Sequence, residues 1–254
     1  MNLVIQGLLT QYLDEGDRRS PVVLILHGWG TDAKNFDSLA AYLAGDFRVL
    51  RLDLPGFGGT EAPAGAWRVR DYAEFVARFL EKLNIIELRG VIGHSFGGRI
   101  VIKGLAEGIL SARQAVLIDS AGITHPKTMR VQVYGLVARI GKRLLALPGI
   151  SKFAPGLRRR LYRSAGSTDY LESGNLRRTF LNVINENLAP AAARITVPTF
   201  IVWGADDLDT PPSDGRILAN LIPNSSYSLI AGAGHFAHND APDRVNPLVK
   251  EFLR

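Results

Sequence analysis

Val91-Ile92-Gly93-His94-Ser95-Phe96-Gly97-Gly98 is the stretch whose reading decides the fold. Before it, the apolar run Leu88 to Ile92 has the make-up of a buried strand and stops at Gly93. After it, a helical pattern runs from Arg99 to Leu110. Between them is Gly-x-Ser-x-Gly, with a glycine two positions either side of Ser95. A sharp strand-to-helix turn needs that spacing. A side chain at 93 or 97 would crowd the backbone, and the serine itself takes a strained conformation. Such a turn lifts Ser95 Oγ into the open and aims a helix N-terminus at it. In a chain with 26 glycines the motif alone says little. The strand before it and the helix after it make it informative.

Working outward, the same alternation repeats. Leu3–Ile5 and Leu8–Leu13 read as an edge strand pair, followed by a turn at Asp14-Glu15-Gly16-Asp17. Val22–Leu26 is a continuous β-branched and apolar run, as expected of a strand buried on both faces of a parallel sheet. A helix is expected over Ala33–Leu43, a strand over Phe47–Leu52 and an amphipathic helix over Val69–Leu83. Ala115–Ile118 is a further short strand. From Ile123 to Val197 the alternation stops, and the sequence is helical, basic and broken by Gly and Pro. It resumes with a strand at Thr199–Trp203, a helix from Asp214 to Leu221, a strand at Tyr227–Ile230 and a helix from Pro242. Repeated strand–helix units predict an α/β fold, a mostly parallel doubly wound sheet with right-handed crossovers. The expected domains are a core of residues 1–122 and 198–254 and a helical cap, or lid, of residues 123–197.

Charge supports that division. The chain carries a formal +6, yet residues 123–197 hold thirteen Lys or Arg against three acids, a local +10 that leaves −4 for the remainder. There is no cysteine, which excludes disulfides, thiolate metal sites and cysteine nucleophiles. Met1–Thr10 lacks the pattern of a secretory signal, and no uncharged apolar run reaches membrane-spanning length. A cytoplasmic protein is expected.

In an open α/β sheet, ligands bind beyond the carboxyl ends of the strands. His27-Gly28-Trp29-Gly30, Ser95, Gly204-Ala205-Asp206-Asp207 and Gly234-His235 each fall just past a strand. A serine, then an acid, then a histidine in those places is a nucleophile–acid–base order. A base must take the serine proton as the hydroxyl attacks, and a carboxylate must fix the imidazole tautomer. His235 is the expected base, with His238 as its competitor; His27 and His94 are expected to make structural hydrogen bonds, and His125 no contribution. Asp206, Asp207 and Asp209 all remain candidates for the acid on residue type alone. No pair of histidines has metal-ligand spacing, so neither a metal nor a cofactor is expected.

These pieces, with Asp53-Leu54-Pro55-Gly56-Phe57-Gly58, Gly204-x-x-Asp207-x-x-x-Pro211 and Pro242 downstream of His235, resemble the α/β-hydrolase superfamily. The branch is the one with a serine nucleophile and a helical cap after the sixth strand. The resemblance implies an eight-stranded, mostly parallel sheet flanked by helices. It selects Asp207 as the acid, three residues after a glycine and four before a proline. It implies catalysis by Ser95, Asp207 and His235, and an oxyanion hole formed by the backbone N–H groups of Trp29 and Phe96. Dehalogenases and epoxide hydrolases of this fold carry an aspartate at the Ser95 position. Gly97-Gly98-Arg99 looks somewhat like relatives in menaquinone synthesis, and biotin-synthesis relatives share the serine elbow. The expected activity is hydrolysis of carboxylic esters with small to medium acyl groups through an acyl-enzyme. Lactone hydrolysis, acyl-homoserine lactones included, is the nearest alternative, followed by thioesters and carbon–carbon bonds. A hydrolase-fold ligand receptor is the alternative of another class. The expected partner is a small-molecule substrate. Nucleic acid is not expected. Contact of Val131–Leu147 and Arg158-Arg159-Arg160 with an anionic membrane surface is a less favoured reading than a packed helix with a solvated basic face.

Overall fold

A computed structural model describes residues 1–124 and 174–254 of the chain. Eight strands form one sheet in the order β1-β2-β4-β3-β5-β6-β7-β8. They are β1 (Asn2–Ile5), β2 (Leu8–Glu15), β3 (Val22–Leu26), β4 (Arg48–Leu52), β5 (Gly90–His94), β6 (Ala115–Ile118), β7 (Thr199–Gly204) and β8 (Ser225–Ile230). The β1–β2 and β2–β4 pairings are antiparallel and the rest parallel. The eight-stranded, mostly parallel sheet expected from the sequence is therefore present.

Alternation along the buried strands sorts the core into two layers. Leu24, Leu26, Val91, Leu117, Ile201 and Trp203 face one side, and Val23, Ile25, Ile92, Val116, Ile118 and Val202 the other. The first layer is covered by α2 (Val69–Lys82) and α3 (Phe96–Ala106), which bring Tyr72, Phe75, Val76, Phe79, Ile100 and Val101. The second is covered by α1 (Asp37–Leu43) and the C-terminal helix Pro242–Leu253, through Leu39, Leu43, Val245, Val249 and Leu253. Each fully buried aliphatic side chain of this kind contributes about 1.5–3 kcal/mol.

Two departures from the sequence reading have physical causes. The acidic turn expected at 14–17 begins later, because β2 continues through Asp14 and Glu15. Both acids are met by arginines of the neighbouring strand, Arg48 at 2.8 Å from Asp14 and Arg51 at 2.8 Å from Glu15. The helix expected from Arg99 starts at Phe96 because β5 runs on to His94, leaving Ser95 alone as the joint. It stops at Ala106, where the N–H groups of Ile109 and Leu110 both turn back onto the Gly104 carbonyl.

The parallel register brings the informative loops to one edge. Leu26 pairs with Gly93, His94 with Ile118, Ile118 with Val202 and Gly204 with Ile230. His27, Ser95, Asp119, Ala205 and Ala231 therefore leave the sheet side by side.

Part of the expected cap is described. A short 3-10 turn, Gly174–Leu176, leads into α4 (Arg177–Asn185), and α5 (Ala189–Ala192) follows. Thr179 Oγ1 accepts from Trp67 N–H at 3.1 Å and Asn182 Nδ2 donates to the Trp67 carbonyl at 3.2 Å, tying α4 to the loop before α2. Arg99 Nη1 donates to the Glu186 carbonyl at 2.8 Å, while Lys103 holds the Glu186 carboxylate at 2.9 Å. Leu188 N–H donates to the Gly122 carbonyl at 2.8 Å, so the chain leaving β6 and the chain returning meet directly. Beyond that neck, Leu188, Ala191, Ala192 and Ile195 join the first core layer. His125, Val131–Leu147 and Arg158-Arg159-Arg160 lie outside the described residues.

Candidate active site

Ser95 sits at φ +49°, ψ −110° between the last residue of β5 and the first of α3. That backbone conformation costs on the order of 1–3 kcal/mol and is held only by its surroundings. A Cβ on Gly93 would lie 2.6 Å from the Gly97 carbonyl oxygen, so the elbow cannot close around a larger residue there. Residues 91–94 and 96–100 are all buried, and Ser95 alone in that run is partly exposed.

His235 follows β8, and its Nε2 lies 3.0 Å from Ser95 Oγ. Its Nδ1 donates to Asp207 Oδ2 at 2.9 Å. Asp207 follows β7 and is buried, with Oδ1 accepting from the N–H groups of Asp209 at 2.9 Å and Thr210 at 3.0 Å. Asp206 and Asp209 are exposed, and neither meets the imidazole. The structure thus brings Ser95, His235 and Asp207 into one hydrogen-bonded line, and of the three candidate acids places Asp207 there. Burial works against charge on both partners. Their hydrogen bond and mutual attraction outweigh it, holding His235 above its ordinary value and Asp207 below its own.

The other described histidines are engaged elsewhere. His27 Nε2 accepts from Leu54 N–H at 2.9 Å and its Nδ1 donates to the Gly28 carbonyl at 2.7 Å. His94 Nε2 donates to the His235 carbonyl at 2.7 Å. His238 stacks on Phe36 with centroids 4.1 Å apart, and its Nε2 meets Asn35 Oδ1 at 2.8 Å. Burial pushes the His238 imidazole down to about 3, so it stays neutral, and the ring nitrogen that meets Ser95 Oγ is that of His235. Asp207, Asp209 and His235 each bring a potential metal-ligand atom within 4.8 Å of the others. Two of those atoms, however, face each other in the bond just described.

The loop after β3 passes beside the serine. A Cβ on Gly28 would lie 3.4 Å from Ser95 Cβ and 2.7 Å from His94 Nδ1. Among the described residues the backbone N–H groups of Trp29 and Phe96 have no hydrogen-bond partner. The rings nearby form a chain: Trp29 meets Phe57 at 4.8 Å and Phe96 at 5.2 Å edge-on, and Phe180 of α4 at 5.1 Å at a tilt.

Residues 22–248 match the sequence profile of the Alpha/beta hydrolase family. The chain belongs to this family. Within the α/β hydrolases, it is 24% identical over 260 residues to the 2-hydroxy-6-oxononadienedioate/2-hydroxy-6-oxononatrienedioate hydrolase of a Pseudomonas species, covering 95% of this chain and 91% of that one. The fold is shared with a membrane phospholipase A described as a bacterial virulence factor (TM-score 0.79, 24% identity, 100% of this chain and 84% of that one). It is shared also with the enol-lactonase of Burkholderia xenovorans LB400 (TM-score 0.77, 22% identity, 100% and 99%). Among the described residues, no helix of this α/β hydrolase is long and apolar enough to cross a membrane.

Two residues at the site escaped the sequence reading. Thr210 Oγ1 lies 2.7 Å from Asp207 Oδ2, 3.2 Å from His235 Nδ1 and 3.1 Å from the Asp119 carbonyl. Asp119 follows β6 and is fully buried. The one signal for it was positional, an aspartate directly after an apolar strand at the edge where the other site residues emerge.

Proposed function

We propose that this α/β hydrolase cleaves carboxylic esters of small to medium acyl groups with Ser95 as nucleophile, His235 as general base and Asp207 as the acid that orients it. The observation carrying this reading is the unbroken line from Ser95 Oγ through the imidazole to Asp207, at 3.0 and 2.9 Å. His235 Nε2 takes the hydroxyl proton as Oγ bonds to the carbonyl carbon. The negative oxygen of the tetrahedral intermediate accepts from the N–H groups of Trp29 and Phe96, each such donor worth about 3 kcal/mol in the transition state. The protonated imidazole returns its proton to the departing alcohol, leaving an acyl-serine. Water, deprotonated by the same nitrogen, releases the acid and restores Ser95.

The half-buried rings of Trp29, Phe57 and Phe180 support an apolar group beside the nucleophile. α4 carries one of them, which supports residues 123–197 acting as the roof of the substrate pocket. Esters, lactones, thioesters and a carbon–carbon substrate, assayed with wild type and Ser95→Ala, test the reading. Ester turnover that disappears in Ser95→Ala is expected. Turnover retained by a folded Ser95→Ala protein rules it out, lactone turnover exceeding ester turnover moves the substrate class, and binding without any turnover favours a receptor.

A further inference from the structure

Asp119 is a buried carboxylate that the proposed chemistry does not use. It sits at φ +44°, an uncommon backbone for a residue other than glycine. No cation pairs with it among the described residues. Its two oxygens are instead divided between two backbone donors. Oδ1 accepts from Gly204 N–H at 2.7 Å, at the end of β7, three residues before Asp207. Oδ2 accepts from Ala237 N–H at 2.9 Å, two residues after His235. Its own carbonyl is 3.1 Å from Thr210 Oγ1, the hydroxyl that also touches Asp207 Oδ2 and His235 Nδ1. One residue therefore spans the segment carrying the acid and the segment carrying the base.

We infer that Asp119 is a positioning residue for the proposed triad: its carboxylate fixes the separation of the Asp207 and His235 segments, and its charge favours the imidazolium. The inference rests on the serine-hydrolase reading. A carboxylate suits this place because two converging N–H donors need two acceptor atoms. An asparagine offers one, and its amide group would face the other donor. The groups facing Asp119 are Asp207 and Thr210 after β7, His235 after β8, Tyr227 on β8, and the two N–H donors. Burial pushes the Asp119 carboxyl up to about 7, with the Asp207 charge adding to the rise and the two N–H groups and His235 opposing it. Near neutrality it takes up a proton, and the protonated oxygen no longer accepts freely from its backbone donor. Loss of the brace thus accompanies protonation of His235 as pH falls.

The test is the rate at which a fluorophosphonate labels Ser95, measured against pH for wild type, Ser95→Ala and Asp119→Asn, with kcat and KM for a short aryl ester. Asp119→Asn is expected to label on the order of 10²-fold more slowly, the scale of a misplaced reacting group. The loss should fall in kcat with little change in KM. Its acid limb should move to lower pH, because the charge that favours the imidazolium is gone. Labelling of Asp119→Asn at the wild-type rate and with the wild-type limb overturns the inference while leaving the serine-hydrolase reading intact. If Asp119→Asn does not fold, Asp119→Glu, which keeps the charge but moves both acceptor oxygens by one carbon, decides: slowed labelling supports the inference and labelling at the wild-type rate overturns it. A wild type in which Ser95 is not labelled removes the serine-hydrolase reading, and this inference with it.

Discussion

His94 Nε2 donates to the backbone carbonyl of His235 at 2.7 Å, so the residue before Ser95 holds the chain of the residue facing it. Deleting that donor leaves a carbonyl short of a partner at a cost of about 1–3 kcal/mol. His94→Leu should lower both Tm and kcat. His94→Gln, which keeps an N–H donor, should recover most of kcat. Equal kcat in the two variants would show that this bond does not place the base.

Ser95→Ala and His235→Ala should each reduce ester turnover by several orders of magnitude, and the double variant by little more, because members of such a line act as a unit. Burst titration and steady-state rates on the three proteins check this. Multiplicative losses would mean that the two residues act independently.

Asp207→Asn should lower kcat by roughly 10⁴-fold, since the amide favours the wrong imidazole tautomer. Asp206→Asn and Asp209→Asn, both exposed and neither hydrogen-bonded to the imidazole, should cost far less. A large loss in Asp206→Asn would place the acid one residue earlier.

The pH dependence follows from the same pair. His235 is held above its ordinary 6.5, against the cost of burial, by its Asp207 bond. A general base works unprotonated, so kcat/KM should fall as pH drops through that raised value, and Asp207→Asn should move the limb to lower pH. For folding, the raised histidine contributes stability that is complete below 6.5 and lost as pH rises through its folded value. Asp207, lowered from 3.8, contributes stability that is present above 3.8 and lost as pH falls through its folded value. The Tm gap between wild type and Asp207→Asn should therefore be widest between 3.8 and 6.5. A gap that widens above neutrality would contradict the assignment.

Phe180 reaches Trp29 from α4 at 5.1 Å. Phe180→Ala should reduce kcat/KM for hexanoyl and benzoyl esters by roughly ten- to two-hundredfold, as expected for about 1–3 kcal/mol of lost apolar contact, and affect acetyl esters less. An unchanged ranking of acyl groups would remove α4 from the pocket.

Most of the sheet was legible because buried parallel strands are short apolar runs and the site loops follow them directly. Val22–Leu26 and Ala115–Ile118 have the same bounds in sequence and structure. Ser95 was legible because glycine spacing encodes a backbone shape. Asp207 needed family spacing, since Asp206 and Asp209 offer the same side chain, and what separates them, burial and the bond to His235, exists only once the chain is folded. Asp119 was not legible, because its partners are the backbone N–H groups of Gly204 and Ala237, which any residue but proline provides. Nor was the attachment of α4, which depends on Trp67 and Thr179, residues far apart in the chain.

The hydrogen bond from Leu188 to Gly122 gives the molecule a socket. Closing a loop costs little more when the loop lengthens, about 0.6 kcal/mol per doubling. With both rims fixed to the core, the closure entropy of the segment between them depends only weakly on its length. A graft that exchanges residues 125–173 and keeps α4 and Glu186, with their contacts to Trp67, Arg99 and Lys103, is therefore the variant expected to leave the sheet folded, and under the proposed reading its substrate preference should follow the graft.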